Sequence, residues 1–158
     1  MVTPVKSVDA LFREAAKILY SKILYNLSYL GEDCVKRIRD RSGDESWFDQ
    51  TGNLRSSIGY AIFSYGKKQI GSAFETVKEG MKGTSQGKKM IKDLAKLYSD
   101  TYALVVVAAM EYAECVEAME SKDVLASTEI YAKGKVNRIL QKAMYDAEKE
   151  IQELEEAL

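Results

Sequence analysis

The side chains of this sequence that can do chemistry are lysines, carboxylates, tyrosines and two cysteines; histidine is absent. Without imidazole there is no Ser-His-Asp or Cys-His pair, no histidine zinc motif and no ordinary near-neutral general base. No catalytic residue, cofactor or metal site is therefore expected, and the chain reads as a protein that is not an enzyme. Gly83-Thr84-Ser85-Gln86-Gly87-Lys88-Lys89 has the flavour of a phosphate-binding loop. Its spacing is wrong, no Ser or Thr follows the lysine, and no buried strand runs directly into it. With Lys78, Lys82 and Lys92, its lysines make a basic patch that reads as a solvated face or as a contact for DNA or an acidic partner. Cys34 and Cys115 each fall inside an amphipathic segment, so two buried free thiols are expected in preference to a disulfide.

These groups must be positioned by a chain of 158 residues, which is long enough for one domain with one real core. Apolar residues are 46% and charged residues 30%, a globular composition and not a disordered one. The formal net charge of −1 gives no global field toward nucleic acid or a membrane surface. No uncharged stretch approaches the roughly 20 apolar residues of a bilayer span, and the first residues lack a signal-peptide core, so folding in a cytoplasm is expected.

Ser7 or Asp9 can cap a first helix whose apolar positions (Val8, Leu11, Phe12, Ala15, Leu19, Ile23, Leu27, Leu30, Cys34, Ile38) recur every three or four residues. Arg37, Arg39 and Arg41 complement its dipole, and Ser42-Gly43 supplies a stop. Such a helix is about 50 Å long, whereas a compact globule of this length is about 40 Å across. It must kink near Gly31 or project. Its middle is apolar around most of its circumference, as in a core helix or in one whose second face meets another subunit. The second reading makes Leu19, Tyr20, Ile23, Leu24 and Leu27 a subunit interface and predicts an oligomer.

Trp47 and Phe48 are expected to tuck onto the core. Thr51 is a good N-cap for a short turn that hands over at Gly59 to a hairpin, residues 60–65 and 69–77 around Gly66-Lys67-Lys68. Residues 78–87, rich in glycine, read as a mobile loop, and 87–98 as a short amphipathic helix. The apolar run 102–110 reads as a strand covered on both faces and central in its sheet. One or two helical turns follow at 111–119, then a short edge strand at 124–126. From Thr128 a last helix carries the stripe Val136, Leu140, Ala143, Ala147, Ile151, Leu154 and Leu158. The fold class expected is α+β in a single domain, 1–158: a long N-terminal helix at 7–42, a small mainly antiparallel sheet (hairpin plus central strand) with a short helix within 51–127, and a long C-terminal helix at 128–158.

Three stretches stand in a fixed order: Thr51-Gly52-Asn53-Leu54-Arg55-Ser56-Ser57-Ile58, then Tyr112-Ala113-Glu114-Cys115-Val116-Glu117 at the end of the apolar strand, then Asp123-Val124-Leu125 before the last helix. In combination, across residues 8–140, they resemble the small neck proteins of tailed bacteriophages, grouped as head–tail joining, tail-completion or tail-terminator proteins. The pattern of that family is a long N-terminal helix, T-G-x-L-R-x-S-I, a sheet and Y-A-x-x-V-E. The resemblance implies a virion structural protein, often hexameric, forming a homo-oligomeric ring at the junction of head or connector and tail. Neighbouring neck, connector and tail proteins would be its partners, DNA would pass through its lumen, and no membrane or cofactor is involved. Thr51, Gly52, Asn53, Leu54, Arg55, Ser57, Ile58, Tyr112, Ala113, Val116 and Glu117 would then be the family-motif positions. Arg55 and Glu117, their charged members, are expected to pair within a subunit or across an interface. The acidic end of the last helix, with Glu150, Glu153, Glu155 and Glu156, is a candidate lumen lining. The alternative is a bacterial helical adaptor or nucleic-acid-associated binding module that uses the basic patch.

Overall fold

A computed structural model of the chain describes residues 5–41, 50–118 and 123–157. Helix α1 (Val5–Asp40) is continuous through 36 residues, about 54 Å at the usual helical rise. It includes Gly31 without interruption and begins before both expected caps. A one-turn helix α2 (Asn53–Ser56) leads into strand β1 (Ile58–Ser64), which turns at Tyr65-Gly66 into β2 (Lys67–Gly71). Helix α3 (Met81–Leu94) runs on as a 3-10 turn (Ala95–Tyr98) into β3 (Tyr102–Ala108). The short α4 (Ala113–Glu117) and the long α5 (Ala126–Glu156) complete the α+β fold. Expectations for Ser42-Gly43, Trp47, Phe48 and Leu158 fall outside the described residues.

The sheet is antiparallel in the order β2-β1-β3. Alternation along β1 sends Ile58, Tyr60 and Ile62 to one face and Ala61 and Phe63 to the other. The first set packs with Leu27, Val35 and Ile38 of α1, and the second with Ile91 of α3 and with Phe74 from the segment before it. The layers are thus α1 with α5, the sheet, and α3. Helices α1 and α5 run antiparallel, since Arg41 meets Thr128, Asp33 meets Tyr131 and Lys22 meets Glu150.

Several expectations are corrected. The strand at 102–110 is an edge strand ending at Ala108; β1, despite its Gly and Ser, is the central one. The apolar run in β3 arises because Leu104 and Val106 serve one core and Val105 and Val107 the other. The loop at 78–87 is mostly helix: Gly83 and Gly87 are buried contact points of α3, where an added Cβ would fall 1.9 Å from Asn53 O and 2.3 Å from the Phe74 ring. The hairpin turn is Tyr65-Gly66, both with positive φ as a tight two-residue turn requires. Its second arm ends at Gly71, so residues 72–77 are not strand. No strand forms at 124–126; Val124 is a buried core residue and α5 begins at Ala126. Thr128 is therefore not a cap but lies in the first turn, accepting a bond from Arg41. Cys34 is buried and free, whereas Cys115 is exposed, because α4 turns Ala113 and Val116 inward instead.

Candidate functional site

The two motif stretches build one corner of the molecule. Thr51 Oγ1 accepts from the Asn53 N–H at 3.4 Å, but Gly52 holds the cap position of α2 with no side-chain cap bond, so the expected Thr51 cap is not formed. Gly52 takes a left-handed φ of +79°, and a Cβ there would lie 2.0 Å from Val77 O, so only glycine fits. Asn53 Oδ1 accepts from the Gly83 N–H at 3.0 Å and thereby occupies an otherwise orphaned amide in the first turn of α3. Leu54 and Ile58 are core residues. Ser57 Oγ donates to Leu54 O at 2.7 Å and accepts from the Ala109 N–H at 3.1 Å, which ties the start of β1 to the end of β3. Ser56 does the same for the segment before α3, accepting from the Val77 N–H at 2.8 Å.

Arg39 of α1 donates through Nε to Arg55 O at 3.2 Å and through Nη2 to Glu75 O at 3.1 Å. Burial lowers the pKa of Arg39, and the Glu75 carboxylate opposes that shift. In the second motif Tyr112 is exposed, while Ala113 and Val116 face the core. Both Glu117 carboxylate oxygens are engaged: Leu125 N–H donates at 2.8 Å and Ala126 N–H at 2.7 Å. Glu117 thus covers the N-terminus of α5, and an Arg55–Glu117 pair within the chain is not formed. Leu54 and Ile58 of the first motif and Ala113 and Val116 of the second share one core cluster, while Asn53, Ser57 and Glu117 tie neighbouring segments together. Asn53 and Glu117 were missed in this role. Glu117 stands shortly before a long helical pattern, which is a local signal for a cap. Asn53 reaches the first turn of α3 from 30 residues away and carries no local signal. Arg41 was missed too; it bonds both Asp123 and Thr128, holding the end of α1 to the start of α5.

Beside this corner lies an apolar groove of about 620 Å³ between α1, α5 and the outer edge of β3. Ile23, Leu27, Leu30 and Ile38 form one wall, Leu104 and Val106 the floor, and Val136 and Leu140 the other wall. Of the expected interface residues, Leu27 is a core residue at 7% exposure that also forms part of the groove wall. Ile23 and Leu24 are half-buried against that core. Leu19 remains 38% exposed, and Tyr20 sits 6.1 Å from the Tyr102 ring. A second exposed strip on α1, Tyr25 and Tyr29, faces away from the sheet. Near the end of α5, Glu150 is paired with Lys22 at 2.5 Å, and Glu153, Glu155 and Glu156 are exposed.

Among the described residues no group of His, Cys, Asp or Glu side chains could hold a metal ion, and no helix is long and apolar enough to cross a membrane. Fold and site define an α+β protein whose motif residues lock helices to a small sheet and whose prominent surface feature is an apolar groove. In comparisons with protein-family models, curated proteins and solved structures, the chain matches none of them.

Proposed function

We propose that this chain is a virion structural protein that works by assembling into a ring at the head–tail junction of a tailed phage or prophage. Copies of it, with neighbouring neck, connector or tail proteins, would surround a lumen for DNA. The observation that carries the reading is the groove walled by Ile23, Leu27, Val136 and Leu140, which lies open beside a β3 edge that no described strand pairs. Apolar surface of this kind beside free strand amides favours association over solvation. The ordered motif pair supplies the link to the neck family.

Light scattering combined with negative-stain microscopy tests the proposal, on the chain alone and with the connector and tail proteins of its own genome. Closed rings are the expected outcome. A chain that stays single with every such partner overturns the proposal.

The exposed lysines of α3 favour a second reading, a nucleic-acid-associated binding module. That reading requires duplex DNA binding that collapses steeply as salt rises.

A further inference from the structure

On the face of the sheet opposite the groove, a pocket of about 430 Å³ opens between β2, α3 and residues 72–74. Its floor is apolar, made by Phe63, Phe74, Ile91 and Ala95. Its rim is cationic: Lys68, Lys88 and Lys92 line it, and among the described residues no carboxylate does. Among the described residues these lysines form no ion pair, although Glu14, Glu75, Asp123, Glu129 and Glu150 elsewhere are engaged by cations. Three like charges around an apolar hollow suit an occupant that is both greasy and acidic. A bare phosphate chain would answer the rim and leave the floor wet.

The chain carries such an occupant. On α5, Met144 and Tyr145 are 54% and 67% exposed, and the helical period brings Glu148 and Glu155 to the same side. Among the described residues none of these side chains makes an ion pair or hydrogen bond; the ion pair in this region is made by Glu150 with Lys22. Face and ridge lie on different layers of the molecule, so one copy cannot satisfy itself. A contact of this heterologous kind propagates from copy to copy and closes into a ring when the rotation allows.

We infer that the Lys68–Lys88–Lys92 pocket of one copy receives the Met144–Tyr145–Glu148–Glu155 ridge of the next, head to tail. The inference rests on the assembly proposal and names its contact. It gives the acidic end of α5 a sister chain as neighbour in place of a DNA channel.

Charge reversal in two separate chains tests it. One variant carries Lys88→Glu and Lys92→Glu, the other Glu148→Lys and Glu155→Lys. All four positions are exposed, and circular dichroism checks that both variants fold. Each variant alone now opposes like charges and is expected to associate about a hundredfold more weakly than the parent by sedimentation. Mixed one to one, each face meets a complementary ridge and association returns. Tyr145→Ala, which leaves every charge in place, weakens association of the otherwise native chain. If the parent associates and either variant does so equally well, or the mixture fails to recover, this contact is wrong while ring assembly stands. If the parent, the variants and the mixture all remain single chains even with connector and tail proteins present, the assembly proposal falls with it. Parent chain that ignores its own copies but binds duplex DNA through Lys88 and Lys92 overturns the inference in favour of a nucleic-acid face.

Discussion

The ring of Tyr60 lies so close to Gly31 that a Cβ on that glycine would fall 2.3 Å from Tyr60 Cδ2. The central strand and the first helix meet here with no room for a side chain, which is why a glycine is placed mid-helix. Gly134, in the exposed part of α5, has nothing within 4 Å of the same position. Alanine at the two sites should therefore act in opposite directions. Gly31→Ala forces the Tyr60 ring or the helix to shift and costs about 1–3 kcal/mol. Gly134→Ala stabilises by about 0.5–1 kcal/mol, the ordinary gain in helix propensity. Urea denaturation of both variants measures the pair; equal signs would contradict the packing described.

Glu117, the last residue of α4, reaches the start of α5, a helix of 31 residues. Its two bonds to Leu125 and Ala126 satisfy amides that the helix cannot, and its charge lies at the positive end of the dipole. Glu117→Ala is expected to lose about 1–2 kcal/mol and Glu117→Gln about half of that. Hydrogen exchange should localise the loss to the first turns of α5. Arg55→Ala should leave those amides protected as in the parent, since its side chain does not hold Glu117.

Arg41, Asp123 and Thr128 form the matching clamp on the other side of the same junction. Burial works against ionisation of Asp123, yet its bonds with Ser127 and the adjacent Arg41 guanidinium hold its pKa below the ordinary value of 3.8. A depressed carboxylate stabilises the fold at pH above its unfolded pKa, and that contribution disappears as pH falls through the folded value. Acid titration of the melting temperature should show a fall beginning below about pH 4 that Asp123→Asn flattens. At neutral pH the same variant should lose about 1 kcal/mol, the group being partly solvated.

Much of this architecture could be read from the chain before the fold was known, because it follows from period and composition. The three- and four-residue spacing of Leu27, Leu30, Cys34 and Ile38 identified α1, the stripe from Val136 to Leu154 identified α5, and the aromatic and β-branched residues around Gly66 identified the hairpin. What the chain hid were the relations between distant residues. Glycine at 83 and 87 reads locally as a breaker, but here it lets α3 lie against α2 and Phe74. A fully apolar strand reads as central, and β3 nevertheless sits at the edge because helices cover both of its faces. The charges of Arg39 and Arg41 fit a helix-dipole role, and only the fold shows them reaching Arg55 O and Asp123. For the groove, the sequence indicated an apolar α1 and left open what covers each face; Leu27 proved internal and Leu19 exposed.

The two thiols offer a kinetic view of that groove. Cys115 is exposed on α4 and should react with a disulfide reagent at once. Cys34 is buried on the groove wall, and burial, with the nearby Asp33 carboxylate adding to it, pushes its pKa up to about 11. A raised thiol pKa keeps the neutral form in the folded state, so its contribution to stability is intact below the unfolded value of 9.0 and is lost as pH rises through the folded one. At neutral pH Cys34 can react only when the helices part. The Tyr131 hydroxyl donates to Asp33 at 2.5 Å, and the Arg37 guanidinium lies 3.9 Å over the Tyr131 ring, so these contacts hold α5 on α1 directly above Cys34. Tyr131→Phe removes the hydrogen bond and keeps the ring. If the groove opens by local separation of the two helices, Cys34 labelling should speed up several-fold, on the order of fivefold for about 1 kcal/mol of lost hydrogen bonding, while the midpoint of global unfolding moves less. If labelling instead follows global unfolding alone, rate and midpoint will change together, and the groove is a rigid feature of the fold.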